Sequence, residues 1–224
     1  MRVVIRIGGS IIASPINPPL ISAYGDILKK LEGKGHQLVV VVGGGSVARK
    51  FIQAAKELGL KEEFQDEVAI SVSRIFAYLV LKKLGKLGDK GVSLTVEQAE
   101  EGLLEGKISV MGGLKPGMTT DTVAALVCEQ VDADLLVKST DQEGVYDKDP
   151  SKYQDAVLLN RLEFEDLSLV FEEEKHKAGI HQIIDPEAVK ILKRERVRVR
   201  VVNGFHPENV LSAVEGKSVG TLIE

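Results

Sequence analysis

Apolar residues in this chain gather in short continuous runs instead of alternating with polar ones. The clearest runs cover residues 3–7, 38–42 and 135–137. Runs of this length without alternation predict strands that are covered on both faces, as in a parallel sheet. Residues 197–202 mix valine with arginine, which predicts a strand that is only partly buried.

Helical periodicity fills the intervals between these runs. Residues 46–58 place Val47, Phe51 and Leu58 on one face of a helix. The same periodicity predicts further helices over residues 19–31, 64–84, 119–131 and 186–193. Strand and helix therefore alternate along the chain, and the sequence predicts an α/β fold with right-handed crossovers.

Three segments that contain glycine interrupt this alternation, each directly after a predicted strand. They are Gly8-Gly9-Ser10, residues 43–46 and residues 111–120. Ligands of open α/β sheets bind at the loops that follow the carboxyl ends of parallel strands. These segments are therefore the first candidates for a binding site.

Three successive glycines, residues 43–45, join a buried strand to a helix. Glycine lets the backbone approach an anion closely, and a helix N-terminus offers N–H groups and partial positive charge to a phosphate. Arg49 lies one turn into that helix and can reach back. Gly9 and Ser10 repeat the arrangement, which suits two phosphorylated substrates meeting head to head. A tight strand-to-helix turn without a ligand is the alternative. The spacing matches neither a P-loop nor a dinucleotide fingerprint.

The third segment continues over residues 112–121, where Pro116 and Gly117 fix a turn. Thr119 and Thr120 follow at positions suited to a helix N-cap. Two interpretations stay open. The segment is either a capped helix without a ligand, or a loop whose backbone and hydroxyl groups hold a base or a phosphate.

A fourth polar segment, residues 139–150, follows the third apolar run. Asp141 stands at the strand end, where a carboxylate suits Mg²⁺ or the orientation of groups around phosphates. Tyr146 offers a flat apolar face that suits an adenine base. Simple solvation of Asp141 is the alternative.

Composition and charge narrow the class of protein. The net charge of −4 over 224 residues argues against a binder of nucleic acid polymers. No apolar run approaches the ~20 residues of a membrane span, and the start of the chain lacks a signal-peptide layout. We therefore expect no membrane contact and a cytoplasmic location. Cys128 is predicted to be a packed core thiol. No metal-ligand spacing connects the histidines, which are His36, His176, His181 and His206.

Taken together, these motifs resemble the amino-acid-kinase superfamily, and within it the archaeal-type uridylate kinases, over nearly the whole chain. The segments that carry the resemblance are RIGGS, VVGGGSVARK, VMGGLKPGMTTDTVAA, TDQEGVYDKDP, IIDPEAVKIL and GTLIE. The resemblance implies a three-layer α/β/α sandwich around a mostly parallel sheet, in one domain over residues 1–224. It also implies ATP with Mg²⁺, transfer of the γ-phosphoryl group to UMP, and a homohexamer built as a trimer of dimers. The acceptor side would cover about residues 1–130 and the ATP side about residues 131–224.

The resemblance assigns roles to individual residues. On the ATP side it implies Gly9, Ser10, Gly45, Arg49, Thr140, Asp141, Tyr146 and Asp149. For UMP it implies Gly44, Asp66 at the ribose, Leu114, Lys115, Pro116, Gly117, Met118, Thr119 and Thr120. As cations acting on the transferred phosphoryl group it implies Arg49, Lys190 and Arg6.

Two of these assignments have simpler alternatives in the residues themselves. Without the resemblance, Asp66 is an exposed residue near a helix start and Lys190 a surface lysine. Arg6 stands where many relatives carry lysine, and it keeps the positive charge on a planar fork.

Three other functions remain open from the sequence. An isopentenyl phosphate kinase would place a histidine in the second glycine loop, and no histidine of this chain stands there. An amino-acid kinase would need an acceptor site for a carboxylate. A non-catalytic nucleotide-binding protein would keep the loops and lose the cations, and Arg49 and Lys190 argue against it.

Overall fold

The computed structural model of this chain describes residues 1–167 and 183–224. The strands in these residues are β1 (Arg2–Ile7), β2 (Gln37–Val42), β3 (Ser109–Met111), β4 (Leu135–Thr140), β5 (Val145–Tyr146), β6 (Leu158–Leu159), β7 (Arg161–Leu162), β8 (Arg198–Asn203) and β9 (Thr221–Ile223). The helices are α1 (Gly9–Ile12), α2 (Pro18–Gly33), α3 (Gly45–Glu57), α4 (Glu62–Leu84), α5 (Val96–Leu104), α6 (Thr120–Gln130), α7 (Pro186–Arg194) and α8 (Glu208–Val214). A 3₁₀ turn at Gly85–Leu87 follows α4.

The main sheet has the strand order β3-β2-β1-β4-β8-β9-β7. Its first five strands run parallel, β9 runs antiparallel to β8, and β7 runs parallel to β9. Strands β5 and β6 form a separate antiparallel ribbon. Ile7 is in register with Val42 on one side and Ser139 on the other. The carboxyl ends of β1, β2 and β4 therefore lie side by side, and the predicted mostly parallel sheet is confirmed.

Helices cover both faces of this sheet, which explains the continuous apolar runs. Val3 and Ile5 of β1 pack in one core cluster with side chains of α2 and α4, whereas Val4 packs in the other with side chains of α5, α6 and α7. Burial of one such side chain stabilises the fold by about 1.5–3 kcal/mol. The result is a three-layer α/β/α sandwich, as the resemblance implied.

The sequence pattern did not predict the short elements, and it predicted one strand, β4, shorter than the structure has it. Strand β4 continues past the apolar run to Thr140, because Lys138 and Ser139 extend the ladder toward the loops. Helices α1, α5 and α8 and strands β5, β6, β7 and β9 were not predicted, since each is short and polar residues interrupt its apolar pattern.

The structure also shows the surroundings of the cysteine and of two of the histidines. Cys128 is buried in α6, and burial raises the pKa of its thiol. No helix in the described ranges is both long and apolar enough to cross a bilayer. His36 is partly buried and His206 is exposed. His176 and His181 lie outside the described residues.

Candidate active site

The two glycine loops touch each other at the carboxyl edge of the sheet. Gly8 at the end of β1 donates its N–H to the carbonyl oxygen of Ser139 in β4, at 2.9 Å. A Cβ on Gly9 would collide with the backbone nitrogen of Gly45. Gly45 itself has a φ of 57°, a conformation that glycine adopts without strain. The contact between the loops therefore requires glycine on both sides.

Ser14 fastens the first loop to the start of α3. Its hydroxyl donates to the carbonyl oxygen of Gly9 at 3.2 Å and accepts from the N–H of Ser46 at 2.6 Å. The N–H of Val47 donates to Ala13 at 3.3 Å. Two donors of the first helical turn are therefore engaged within the protein instead of facing a phosphate. In the described parts of the chain, four other backbone N–H groups of the loops have no partner, those of Gly9, Ser10, Gly44 and Gly45.

A cavity of about 510 Å³ opens above these loops. All eight residues predicted for the ATP side line it, together with Arg6, Gly43, Gly44, Thr120, Asp121, Lys138, Gln142, Gly144, Lys148, Pro150 and Ile183. Lys190, predicted as a catalytic cation, is not among the lining residues. Its side chain is 74% exposed on α7 and pairs with Glu187 at 3.3 Å.

A smaller cavity of about 120 Å³ adjoins the larger one. Five residues predicted for UMP line it, and they are Gly44, Asp66, Lys115, Met118 and Thr120. Ala48, Ala69, Ile70, Ser73 and Gly113 complete its wall. Gly44 and Thr120 line both cavities. Two ligands placed in the cavities would therefore meet at these two residues.

Helix α4 holds the loop that borders the smaller cavity. Two nitrogens of the Arg74 guanidinium donate to the carbonyl oxygens of Gly113 and Leu114, at 3.0 and 3.2 Å. The N–H of Gly117 donates to the Asp66 carboxylate at 2.8 Å. Leu114 and Gly117 thus shape the loop without lining the cavity. Sequence reasoning missed Arg74, because its partners are distant in the chain.

The remaining predicted acceptor residues lie at the edge of this loop. Thr119 is the N-cap of α6 and accepts the N–H groups of Asp121 and Thr122, both at 3.1 Å. Its hydroxyl also donates to Asp185 at 2.6 Å. Pro116 is exposed and does not line the smaller cavity.

A buried charge network lies where the cavities meet. The Arg6 guanidinium pairs with Asp121 at 2.9 Å, and the Lys138 ammonium donates to the other oxygen of the same carboxylate. Arg6 also donates to the Thr120 hydroxyl at 3.0 Å. The side chains of Arg6, Asp121 and Lys138 are only 17%, 14% and 6% exposed. Sequence reasoning missed Lys138, although a single charged residue ending a buried strand is a usable signal.

Burial and charge pull the pKa values of this network in opposite directions. Burial lowers the pKa of Lys138 to about 8, although Asp121 opposes the shift. Burial alone would raise the pKa of Asp121, but Arg6 and Lys138 outweigh it and hold that pKa below its ordinary value. Below about pH 8 the network carries two cations and one anion, so one positive charge remains uncompensated beside the larger cavity.

The far end of the larger cavity is built from the segment after β4. The Thr140 hydroxyl donates to Asp141 at 3.2 Å, and Tyr146 is half-buried on β5. Asp149 accepts the hydroxyl of Ser151 at 2.6 Å, and this hydrogen bond is the main reason why its pKa lies below the ordinary value. Asp149 therefore shapes its own loop as well as lining the cavity.

The chemistry of the larger cavity suits a polyphosphate. Backbone N–H groups, Arg6, Arg49, Lys138 and Lys148 supply positive charge among the residues that line it. Among the described residues, no group of three or more His, Cys, Asp and Glu side chains is arranged to hold a metal ion.

Comparison with known proteins agrees with this geometry. Residues 1–203 match the Amino acid kinase family. The uridylate kinase of Methanocaldococcus jannaschii is 41% identical over 100% of both chains, and that of Methanothermobacter thermautotrophicus is 40% identical over 100% of this chain and 99% of its own. The crystal structure of uridylate kinase from Archaeoglobus fulgidus superposes with a TM-score of 0.89 at 34% identity, covering 100% of both chains. The chain therefore belongs to the amino acid kinase family and, within it, to the archaeal-type uridylate kinases.

Proposed function

We propose that this chain transfers the γ-phosphoryl group of ATP to UMP, giving ADP and UDP. The observation that carries the proposal is the shared wall of the two cavities at Gly44 and Thr120. A cavity of about 510 Å³ lies in the size range of nucleotide and cofactor sites. An acceptor bound in the smaller cavity would lie beside a triphosphate chain held in the larger one, at the two residues that line both.

The larger cavity would hold ATP through its phosphates. The four unpartnered N–H groups of the glycine loops suit phosphate oxygens, and Arg49 extends from α3 on the same side. Phosphoryl transfer needs in-line positioning and positive charge around the transferred group more than covalent chemistry. The attacking oxygen of UMP is already an anionic phosphate oxygen, so no general base is required. Tyr146 would lie against the adenine.

The smaller cavity would hold UMP. The Asp66 carboxylate suits the ribose hydroxyls, and Lys115 and the N–H of Gly44 suit the acceptor phosphate. Met118 and Ile70 give the cavity an apolar wall for a base.

The donor set fits a Mg²⁺ ion that arrives with the nucleotide. Mg²⁺ is usually bound by one or two carboxylates together with substrate phosphates, and it keeps several waters. Asp141 is an exposed carboxylate on the rim of the larger cavity, and it would hold the ion there. The ion would neutralise charge on the β- and γ-phosphates.

The proposal also includes a cytoplasmic homohexamer built from dimers. Large apolar side chains exposed on α3 and α4 support an interface there, since a contiguous apolar patch marks a protein–protein contact. They include Phe51 of α3 and Ile75, Tyr78 and Leu79 of α4. Light scattering after size exclusion would measure the assembly, and a monomer would contradict it.

An ADP-release assay tests the activity. Mg-ATP would be offered with UMP, CMP, AMP, acetylglutamate and isopentenyl phosphate in parallel. Strong turnover with UMP alone is the expected result. Turnover with a different acceptor would keep the ATP site and reject the roles of Asp66 and the residue 114–120 loop. No turnover with any acceptor would reject the kinase activity.

A further inference from the structure

We propose that Lys138 is a catalytic residue of the phosphoryl transfer, the ammonium group that contacts the transferred phosphoryl, and that Asp121 is the residue that positions it. The inference rests on the proposed function, because it names a further residue of the same site. Neither role follows from the motifs that predicted the other site residues.

The sheet register brings the two cations together. Arg6 of β1 and Lys138 of β4 are direct neighbours across the parallel pair. Asp121 reaches them from α6 and pairs with each through a different carboxylate oxygen. One carboxylate therefore fixes two like charges side by side. Both cations line the larger cavity next to Thr120, which also lines the smaller one.

Stability alone does not explain a lysine at this position. The preceding β4 residues, Leu135, Leu136 and Val137, are buried and apolar. Lys138 is equally buried, and replacing a buried ion pair with apolar residues is often neutral or stabilising. The charge appears only where the strand reaches the cavity wall. A buried, partly compensated charge in such a cleft is a mark of function.

The step needs positive charge and no proton transfer. A phosphate oxygen of UMP forms a bond to the γ-phosphorus of ATP, while the bond from that phosphorus to the β–γ bridging oxygen breaks. The bridging oxygen keeps the electron pair and leaves as part of ADP. The Lys138 ammonium donates hydrogen bonds to oxygens of the transferred group and stays protonated throughout. Lys190, exposed on α7 and paired with Glu187, is not among the residues at this point of the cavity.

The groups that face the ammonium come from three elements. Arg6 on β1 and Asp121 on α6 lie beside it, and Asp185, just before α7, contributes a weaker attraction. The anionic phosphates of bound ATP would add to that attraction. The charged form of Lys138 is therefore favoured most strongly in the substrate complex.

Three variants test the proposal in the full-length enzyme. They are Lys138→Met, Lys138→Arg and, as a control, Lys193→Met on the exposed face of α7, where Lys193 pairs with Glu165 at 2.6 Å. We expect Lys138→Met to lower kcat by about 10²-fold or more, with the KM values for ATP and UMP within about threefold; Asp121 keeps Arg6 as its counter-ion in this variant. Lys138→Arg should retain part of the activity and lose the decline of kcat/KM above about pH 8, because arginine stays protonated. The control should match the parent enzyme.

The outcomes that overturn the proposal are distinct from failure of the proposed function. A kcat for Lys138→Met within about threefold of the parent value rejects it. A loss of kcat matched by an equal loss of ATP-binding sites shows a structural role and also rejects it. If Lys138→Met does not fold, an unchanged alkaline decline in Lys138→Arg rejects it instead. Turnover of a different acceptor leaves these comparisons intact, whereas a parent enzyme silent with every acceptor rejects both proposals.

Discussion

Replacing Asp121 with asparagine should show how the buried network contributes to stability and to the rate of the enzyme. The amide keeps the size of the carboxylate and removes its charge, so Arg6 and Lys138 would stay adjacent without a counter-ion. Lys138 is only 6% exposed, so water would screen the repulsion weakly. We expect Asp121→Asn to be less stable than the parent enzyme and to be a slower enzyme.

The size of the stability loss follows from the burial of the pair. Removing one partner of a buried ion pair costs about 3–5 kcal/mol. For a chain of 224 residues, 1 kcal/mol changes Tm by about 2–4 °C. Lys138 would lose its proton more readily without Asp121, since that carboxylate now raises its pKa. Loss of the Lys138 proton limits the destabilisation. We therefore expect the free energy of unfolding to fall by about 3 kcal/mol, the lower end of that range, and Tm to fall by about 6–12 °C.

The pH dependence of stability and of kcat/KM tests this reasoning most directly. The pKa of Lys138 is about 8 in the folded enzyme against 10.5 without the fold. Between these values the unfolded chain binds more protons, so this group makes stability rise with pH, while kcat/KM falls as the ammonium is lost. In Asp121→Asn both changes should begin at lower pH. Asp132→Asn, at an exposed position just after α6, is the matched control.

Profiles of kcat/KM from about pH 6 to about pH 10, with thermal unfolding at the same points, measure both effects. The reasoning fails if Asp121→Asn shows the same alkaline decline as the parent enzyme, or if its Tm is unchanged at neutral pH.

The other predictions concern the two loops. Gly9→Ala should raise the KM for ATP by about tenfold or more, because the new methyl group would collide with the backbone of Gly45 and separate the phosphate-binding loops; titration of ATP by calorimetry checks this, and tight binding would contradict it. Arg74→Met should raise the KM for UMP by about tenfold while leaving the KM for ATP within about twofold, since Arg74 holds the loop proposed to bind UMP and does not line the larger cavity. Equal changes in both constants would show a general loss of structure instead.

Much of the architecture could be predicted because local pattern and tertiary context agree. Strands β1 and β2 read as continuous apolar runs, and helices indeed cover both of their faces. The glycines predicted to bind phosphate lie where the two strands end, and their close approach explains why no larger residue stands there.

The charge network could not be predicted in the same way. Lys138 fell outside the apolar run that defined its strand, and its proximity to Arg6 depends on β1 and β4 being neighbours in the sheet. Asp121 looks like a residue of a helix N-terminus, and only the packing of α6 on the sheet turns it toward the cations. Ser14 lies between two elements, with no periodicity to mark its bridging role.

The wall that the two cavities share has a consequence for inhibition. Gly44 and Thr120 border both spaces, so two nucleotides bound as proposed would lie on either side of these two residues. One molecule that links adenosine and uridine through a chain of phosphates would fill both spaces at once. Such a ligand would lose its freedom of motion only once, and its two halves would hold each other in place at a high effective concentration.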